Sequence, residues 1–223
     1  MIFPIGDDNV KGGSFPIFSY LFIVLNVAVF GYEVSLQPAQ LDLFIENFGV
    51  IPVEITMHQT DFQTLITSMF LHGGWMHLIG NMLFLWVFAD NIEAVIGNFR
   101  FFIFYMVGGI LAGFAQIFVA PYSEIPCVGA SGAISAVLGA YLIMFPASKI
   151  KIWAFIFFTF RVPALLFLVF WGAEQFMSGI GSLSEVLGES GGVAFWAHIG
   201  GFVFGIVAGI YYRNTLKTAE RYV

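Results

Sequence analysis

Residues 192–212 read GVAFWAHIGGFVFGIVAGIYY, a run without a formal charge. As a helix such a run rises roughly 30 Å, about the thickness of a bilayer's hydrocarbon core. His198 is the residue out of place, because an imidazole near membrane depth is costly and needs a partner. Ala197, Gly201, Gly205 and Gly209 recur every four residues. A stripe of small residues lets a neighbouring membrane helix approach backbone to backbone.

Five more apolar stretches lie upstream, at about 17–35, 74–90, 100–120, 130–146 and 162–179 by hydropathy and length. The 223-residue chain is 59% hydrophobic and only 10% charged, against roughly 25% charged in soluble domains. The expected fold class is therefore an all-α polytopic membrane protein with six transmembrane helices. Residues 1–16 form a short N-terminal segment without the pattern of a cleaved signal, 17–212 the membrane domain and 213–223 a tail. Residues 152–160 (IWAFIFFTF) are an extra apolar run, expected at the interface and not as a seventh span. With eight Lys and Arg and a net charge of −6, the chain is not suited to nucleic acid. Cys127 is the sole cysteine, which rules out an internal disulfide.

Loop charge sets the orientation. Lys11, Arg100, Lys149, Lys151, Arg161, Arg213, Lys217 and Arg221 all fall on one side of a six-span chain. The opposite segments, about 36–73, 121–129 and 180–191, hold no Lys or Arg. The positive-inside rule puts both termini in the cytoplasm. The 36–73 segment is partly apolar and is expected as short interfacial helices. The 180–191 segment (IGSLSEVLGESG) is a short acidic loop that can cover whatever opens before His198.

This topology collects four polar residues on the external half. Ser131, in Gly129-Ala130-Ser131-Gly132, begins the fourth span. His198 lies about six residues into the sixth, or roughly 9 Å. His77 and Asn81 lie near the start of the second, four apart and so on one helix face. Taken singly, each polar group can do no more than bond a nearby carbonyl. Together they fit acyl transfer. A serine hydroxyl needs a base such as histidine to accept its proton. Asn81, His77 and the unsatisfied N–H groups at the start of the fourth helix can surround an oxyanion. With no Asp or Glu at His198's depth in its own span, a Ser-His dyad is the economical reading. Gly132, Ala136 and Ala140 form a second stripe, matching that of the sixth span. His72 and His77 lack the His-Glu-x-x-His spacing of a zinc site, and a transporter reading lacks an inverted repeat.

The motifs HGGWMHLIGN (72–81), GASG (129–132) and AHIGGFVFG (197–205), in this order, resemble those of the rhomboid intramembrane serine proteases. The likeness runs from about Ile17 to Tyr212 and matches the basic six-span bacterial form. It implies Ser131 as nucleophile, His198 as base, and an oxyanion hole of His77, Asn81 and the Ser131 N–H. It gives His72 a structural role, and makes Glu93, Gly97 and Arg100 in DNIEAVIGNFRFF an ion-paired cytoplasmic turn. Trp171 and Gln175 would border a lateral path for substrate. The implied substrates are transmembrane proteins, cut in or near their helices within the lipid bilayer, with no metal or organic cofactor. The implied location is the bacterial cytoplasmic (inner) membrane, with the site opening to the external side. A non-catalytic rhomboid-like protein that binds membrane clients is the rival, although such proteins usually lack the serine or the histidine.

Overall fold

The computed structural model describes residues 2–8, 13–154, 158–185 and 193–216. Lys11, Lys217, Arg221 and residues 186–191 of the expected acidic loop lie outside them. Six apolar helices build the body: α1 (Ile17–Glu33), α4 (Trp75–Ile96), α5 (Asn98–Val119), α6 (Ser131–Met144), α7 (Ala164–Glu185) and α8 (Phe195–Leu216). Between α1 and α4 the chain makes α2 (Pro38–Phe48), a π-helical turn at Glu54–His58, α3 (Thr64–Thr67) and a 3-10 turn at Ser68–Phe70. The short helices expected in that segment are present.

Among the described residues, four helices are long and apolar enough to cross a membrane: α4, α5, α7 over Ala164–Leu183, and α8. The 17-residue α1 and 14-residue α6 are apolar but shorter. This is a mostly helical integral membrane protein. Large apolar side chains such as Phe118, Phe170 and Val207 stand exposed on its outside; in lipid, such surface needs no further cover.

The all-α expectation is corrected by a three-stranded antiparallel sheet in the order β1-β2-β3. Its strands are β1 (Ile2–Gly6), β2 (Lys149–Ala154) and β3 (Phe158–Pro163). Lys149 pairs with Pro163 and Ala154 with Phe158, while Ile2 pairs with Ala154. The apolar run at 152–160 thus belongs to a strand pair. KIKIWA alternates strictly, burying Ile150, Ile152 and Ala154 and exposing Lys149, Lys151 and Trp153. That is the period of a half-buried strand.

Several helix ends also differ from the hydropathy estimate. Helix α4 continues past residue 90 to Ile96 because its polar residues are used internally. Asn91 Nδ2 donates to Asp7 at 2.7 Å. The Glu93 carboxylate accepts from the N–H groups of Phe18 and Ser19 (2.8 and 2.7 Å) and from Ser19 Oγ (2.6 Å). Glu93 is therefore the cap of α1, filling the role of a capping side chain. The expected pairing with Arg100 is absent among the described residues. Helix α7 runs on to Glu185, taking in the first residues of the expected acidic loop. It starts just after Pro163, where Ala164 and Leu165 donate to the carbonyls of Ser148 and Pro146.

Helix α6 is the centre of the bundle, buried on nearly every face. Its small residues meet the stripe of α8. A Cβ on Gly201 would overlap the Gly132 carbonyl, one on Gly205 the Ala136 carbonyl, and one on Gly209 would lie 2.9 Å from the Ala140 Cα. The two stripes read from the sequence face each other in register. Arg213 donates to the Ile143 carbonyl at 3.0 Å, tying the two C-terminal ends. Arg100, Lys149, Lys151, Arg161 and Arg213 stand at this end with the sheet. Ser131 begins α6 at the other.

Candidate active site

The turn that delivers Ser131 is built around Gly129. Its φ of +125° favours glycine. A Cβ there would also lie 2.7 Å from His77 Nε2 and 3.6 Å from Asn81 Nδ2. The imidazole and the amide of α4 therefore pack on the backbone two residues before Ser131. The Gly129 N–H donates to the Ser68 carbonyl at 2.9 Å, pinning the turn to the segment before α4. Ser131 is the first residue of α6, where the leading N–H groups have no acceptor within the helix and carry the positive end of its dipole.

Helix α8 brings the imidazole. His198 Nε2 lies 2.8 Å from Ser131 Oγ. The distance follows from the packed stripes, since Ala197 and Gly201 flank His198 on the face against α6. The other nitrogen, Nδ1, lies 2.6 Å from Oε1 of Gln175 on α7. Trp171, also on α7, and Phe195 stand with ring centroids 6.2 and 6.5 Å from the imidazole. Gln175 is 7% exposed, and its amide nitrogen donates to the Glu174 carboxylate. The contact between Gln175 and His198 was not foreseen from sequence. A Glu174-Gln175 pair inside an otherwise apolar span was the available signal, since intramembrane polar residues seek partners.

His72 has a defined place. Its ring is 2% exposed, edge-on to Phe30 and His77, with Nε2 3.0 Å from Asn81 Nδ2. Burial, with His77 nearby, holds its pKa down at about 4. The ring is neutral near pH 7, so Nε2 accepts from the Asn81 amide and leaves one Asn81 N–H uncommitted. Upstream, the His72 N–H donates to the Glu33 carboxylate.

Two cavities adjoin the pair. One of about 40 Å³ touches Ser131 and is lined by Ser68, Gln116 and Gly129, with the Gln116 Oε1 buried and unpartnered. The other, about 160 Å³ and apolar, lies between α7 and α8 against Trp171, Phe176, His198 and Phe202. Of the residues singled out from sequence, Ser131 and His198 stand in direct contact. His77 and Asn81 border the turn that leads to Ser131.

The chain is similar in sequence to known proteins. The chain is 29% identical over 207 residues to "Rhomboid protein 1, mitochondrial" of Saccharomyces cerevisiae, covering 89% of this chain and 54% of that protein. It is 34% identical over 128 residues to "Rhomboid protease GluP" of Bacillus subtilis, covering 57% and 24%. It is 29% identical over 174 residues to "Presenilin-associated rhomboid-like protein A, mitochondrial" of Danio rerio, covering 76% and 41%. The chain thus spans about half the length of the yeast relative and less of the other two. Residues 59–215, which include His77, Asn81, Ser131, Gln175 and His198, match the Rhomboid domain model, and the chain belongs to the rhomboid family.

Proposed function

We propose that this protein is an intramembrane serine endopeptidase that cleaves transmembrane proteins in or near their helices. The contact that carries the assignment is His198 Nε2 at 2.8 Å from Ser131 Oγ, within the reach expected of a nucleophile and its base. Ser131 attacks the scissile carbonyl while His198 takes its proton. His198 then returns the proton to the leaving amine, and the acyl group stays on Ser131. A water, deprotonated by His198, attacks the ester and releases the acid with Ser131 restored. The small, partly polar cavity beside Ser131 has room for about one water.

The developing oxyanion is met by the Ser131 N–H at the start of α6, the free Asn81 N–H and the His77 ring, donors held in place by the packed helices. No step calls for a metal or an organic cofactor. Six membrane crossings, with α1 and α6 as short spans, fit the even number of helices between the basic segments. In this arrangement both termini are cytoplasmic and Ser131 opens to the external half of the membrane. A bacterial cytoplasmic membrane is the proposed location, resting on the positive-inside pattern and on the Bacillus subtilis relative. The relatives named above also include mitochondrial ones.

A labelled fluorophosphonate probe tests the assignment. Wild-type protein in detergent is expected to be captured covalently and to cut a co-reconstituted single-span substrate, with both activities lost in Ser131→Ala and His198→Ala. No capture of folded wild-type protein would favour a non-catalytic binder of membrane clients. Cleavage that persists in Ser131→Ala would remove Ser131 from the chemistry.

A further inference from the structure

The geometry points to Gln175 as the positioning residue that fixes the tautomer and orientation of His198; this rests on the Ser131–His198 reading above. A neutral imidazole has one N–H and one lone pair, and either nitrogen can hold the proton. Only the form with the proton on Nδ1 leaves a lone pair on Nε2 to accept from Ser131 Oγ. Gln175 Oε1 is 2.6 Å from Nδ1.

The amide could equally present its NH₂ to Nδ1, which would call for a lone pair there and put the proton on the wrong nitrogen. Glu174 decides between the two orientations. Its carboxylate oxygen accepts from Gln175 Nε2. With the NH₂ committed to Glu174, Oε1 must face His198, Nδ1 must donate, and Nε2 is left as the acceptor. The relay therefore runs Glu174, Gln175, His198, Ser131, with one donor and one acceptor at each link.

A carboxylate does this orienting in soluble serine hydrolases. Here the acceptor is 7% exposed in an apolar wall made by Trp171, Phe176 and Phe202, where an isolated charge is expensive. A carboxamide supplies the acceptor without that charge. Gln175 also stands on α7, whereas His198 is on α8 and Ser131 on α6. The base is thus held from a third helix, whose contact with α8 includes Gly172 against Phe202 and Gly179 against Ile199.

The experiment compares Gln175→Leu, close in size but without an acceptor, with Gln175→Glu, which keeps one. Both are assayed with a reconstituted single-span substrate and by the rate of fluorophosphonate capture. The imidazole nitrogens are followed by ¹⁵N-histidine NMR in detergent. Gln175→Leu is expected to lower kcat and the capture rate at least tenfold in parallel with KM within about twofold, and to move proton occupancy from His198 Nδ1 to Nε2. Gln175→Glu is expected to recover most of the loss. Wild-type kcat and an unchanged nitrogen spectrum in Gln175→Leu would overturn the proposal, as would a loss confined to KM. If Gln175→Leu does not fold, a Gln175→Glu protein with the proton on Nε2 would overturn it. The NMR readout needs no turnover, so it separates a failure of this assignment from a failure of the protease reading, which appears instead as uncaptured wild-type protein.

Discussion

Gly201 lies directly on the backbone of Gly132: a Cβ at position 201 would overlap the Gly132 carbonyl oxygen, sit 3.1 Å from its carbonyl carbon and reach 3.2 Å from Ser135 Cβ. Gly132 follows Ser131, and Gly201 is one turn from His198 and Ala197 on the facing helix. The distance between hydroxyl and imidazole is therefore set by two glycines without side chains. Gly201→Val is expected to force α6 and α8 apart. Overpacking typically costs ~1–3 kcal/mol, which the bundle can survive, but a displacement of about 1 Å can lower a rate on the order of 10²-fold. Turnover and fluorophosphonate capture should fall together, while lipid-facing Val207→Leu stays near wild type. A fully active Gly201→Val protein would show that the stripe does not set the distance. Phe202 is not a neutral control, since it packs on Trp171 and Gly172 beside His198.

Asn81→Ala is expected to lower kcat by about 10²–10³, the usual weight of one oxyanion donor, with other donors left in place. His72→Phe keeps a buried ring but removes the acceptor for Asn81, so it should lower kcat through Asn81 by a smaller factor. The double change should cost little more than Asn81→Ala alone, because the second residue acts through the first. Additive losses in a kinetic double-mutant cycle would refute that dependence.

Glu93 is far from Ser131, at the opposite end of the bundle, and its prediction concerns stability. It is 0% exposed and satisfies three donors at the start of α1. Removing it leaves buried N–H groups unpaired at about 1–3 kcal/mol each. Glu93→Ala should show a large drop in thermal stability in detergent, and Glu93→Gln, which keeps one acceptor oxygen, a smaller one. Equal melting temperatures for Glu93→Ala and wild type would contradict the capping role.

Asp7, after β1, gives the pH dependence. It accepts from Tyr141 Oη and Asn91 Nδ2. Those bonds favour the ionised form, but burial outweighs them and raises its pKa from 3.8 to about 6. A folded-state pKa above the unfolded one means that the folded protein holds this proton more tightly. The resulting stabilisation is full below about 4, fades as pH rises, and is gone above about 6, a span on the order of 2–3 kcal/mol. Thermal stability of wild type relative to Asp7→Asn should therefore improve as pH falls from 7.5 to 5. A pH-independent difference between the two would show that Asp7 does not titrate there.

Orientation is open to cysteine labelling in a Cys127→Ser background. The native thiol is a poor reporter, because burial raises its pKa to about 11 and the thiolate is the reactive form. Cysteine at exposed Asp42 on α2 should react with an impermeant reagent from outside intact cells, and cysteine at exposed Lys151 on β2 should not. The reverse pattern would turn the molecule over and place Ser131 on the cytoplasmic half.

The membrane class, the approximate positions of the six apolar helices, the matched stripes and the pairing of Ser131 with His198 were all legible in the one-dimensional pattern. Each depends on properties that a linear sequence records: apolar length, a four-residue period of small side chains, and rare polar residues in apolar context. The sheet was missed: only β2 carries an alternating signal, in Lys149-Ile150-Lys151-Ile152, and the bulk hydropathy of the residues that follow overshadowed it. What only the tertiary structure decided were the long-range polar partners. Glu93 caps α1, which lies more than seventy residues upstream, and His72 engages Asn81. Gln175 reaches His198 from a different helix. A hydrogen bond between side chains distant in sequence leaves no periodic trace along the chain. It exists only once α6, α7 and α8 have packed, and their packing is governed by the shape of glycine-lined surfaces in three dimensions.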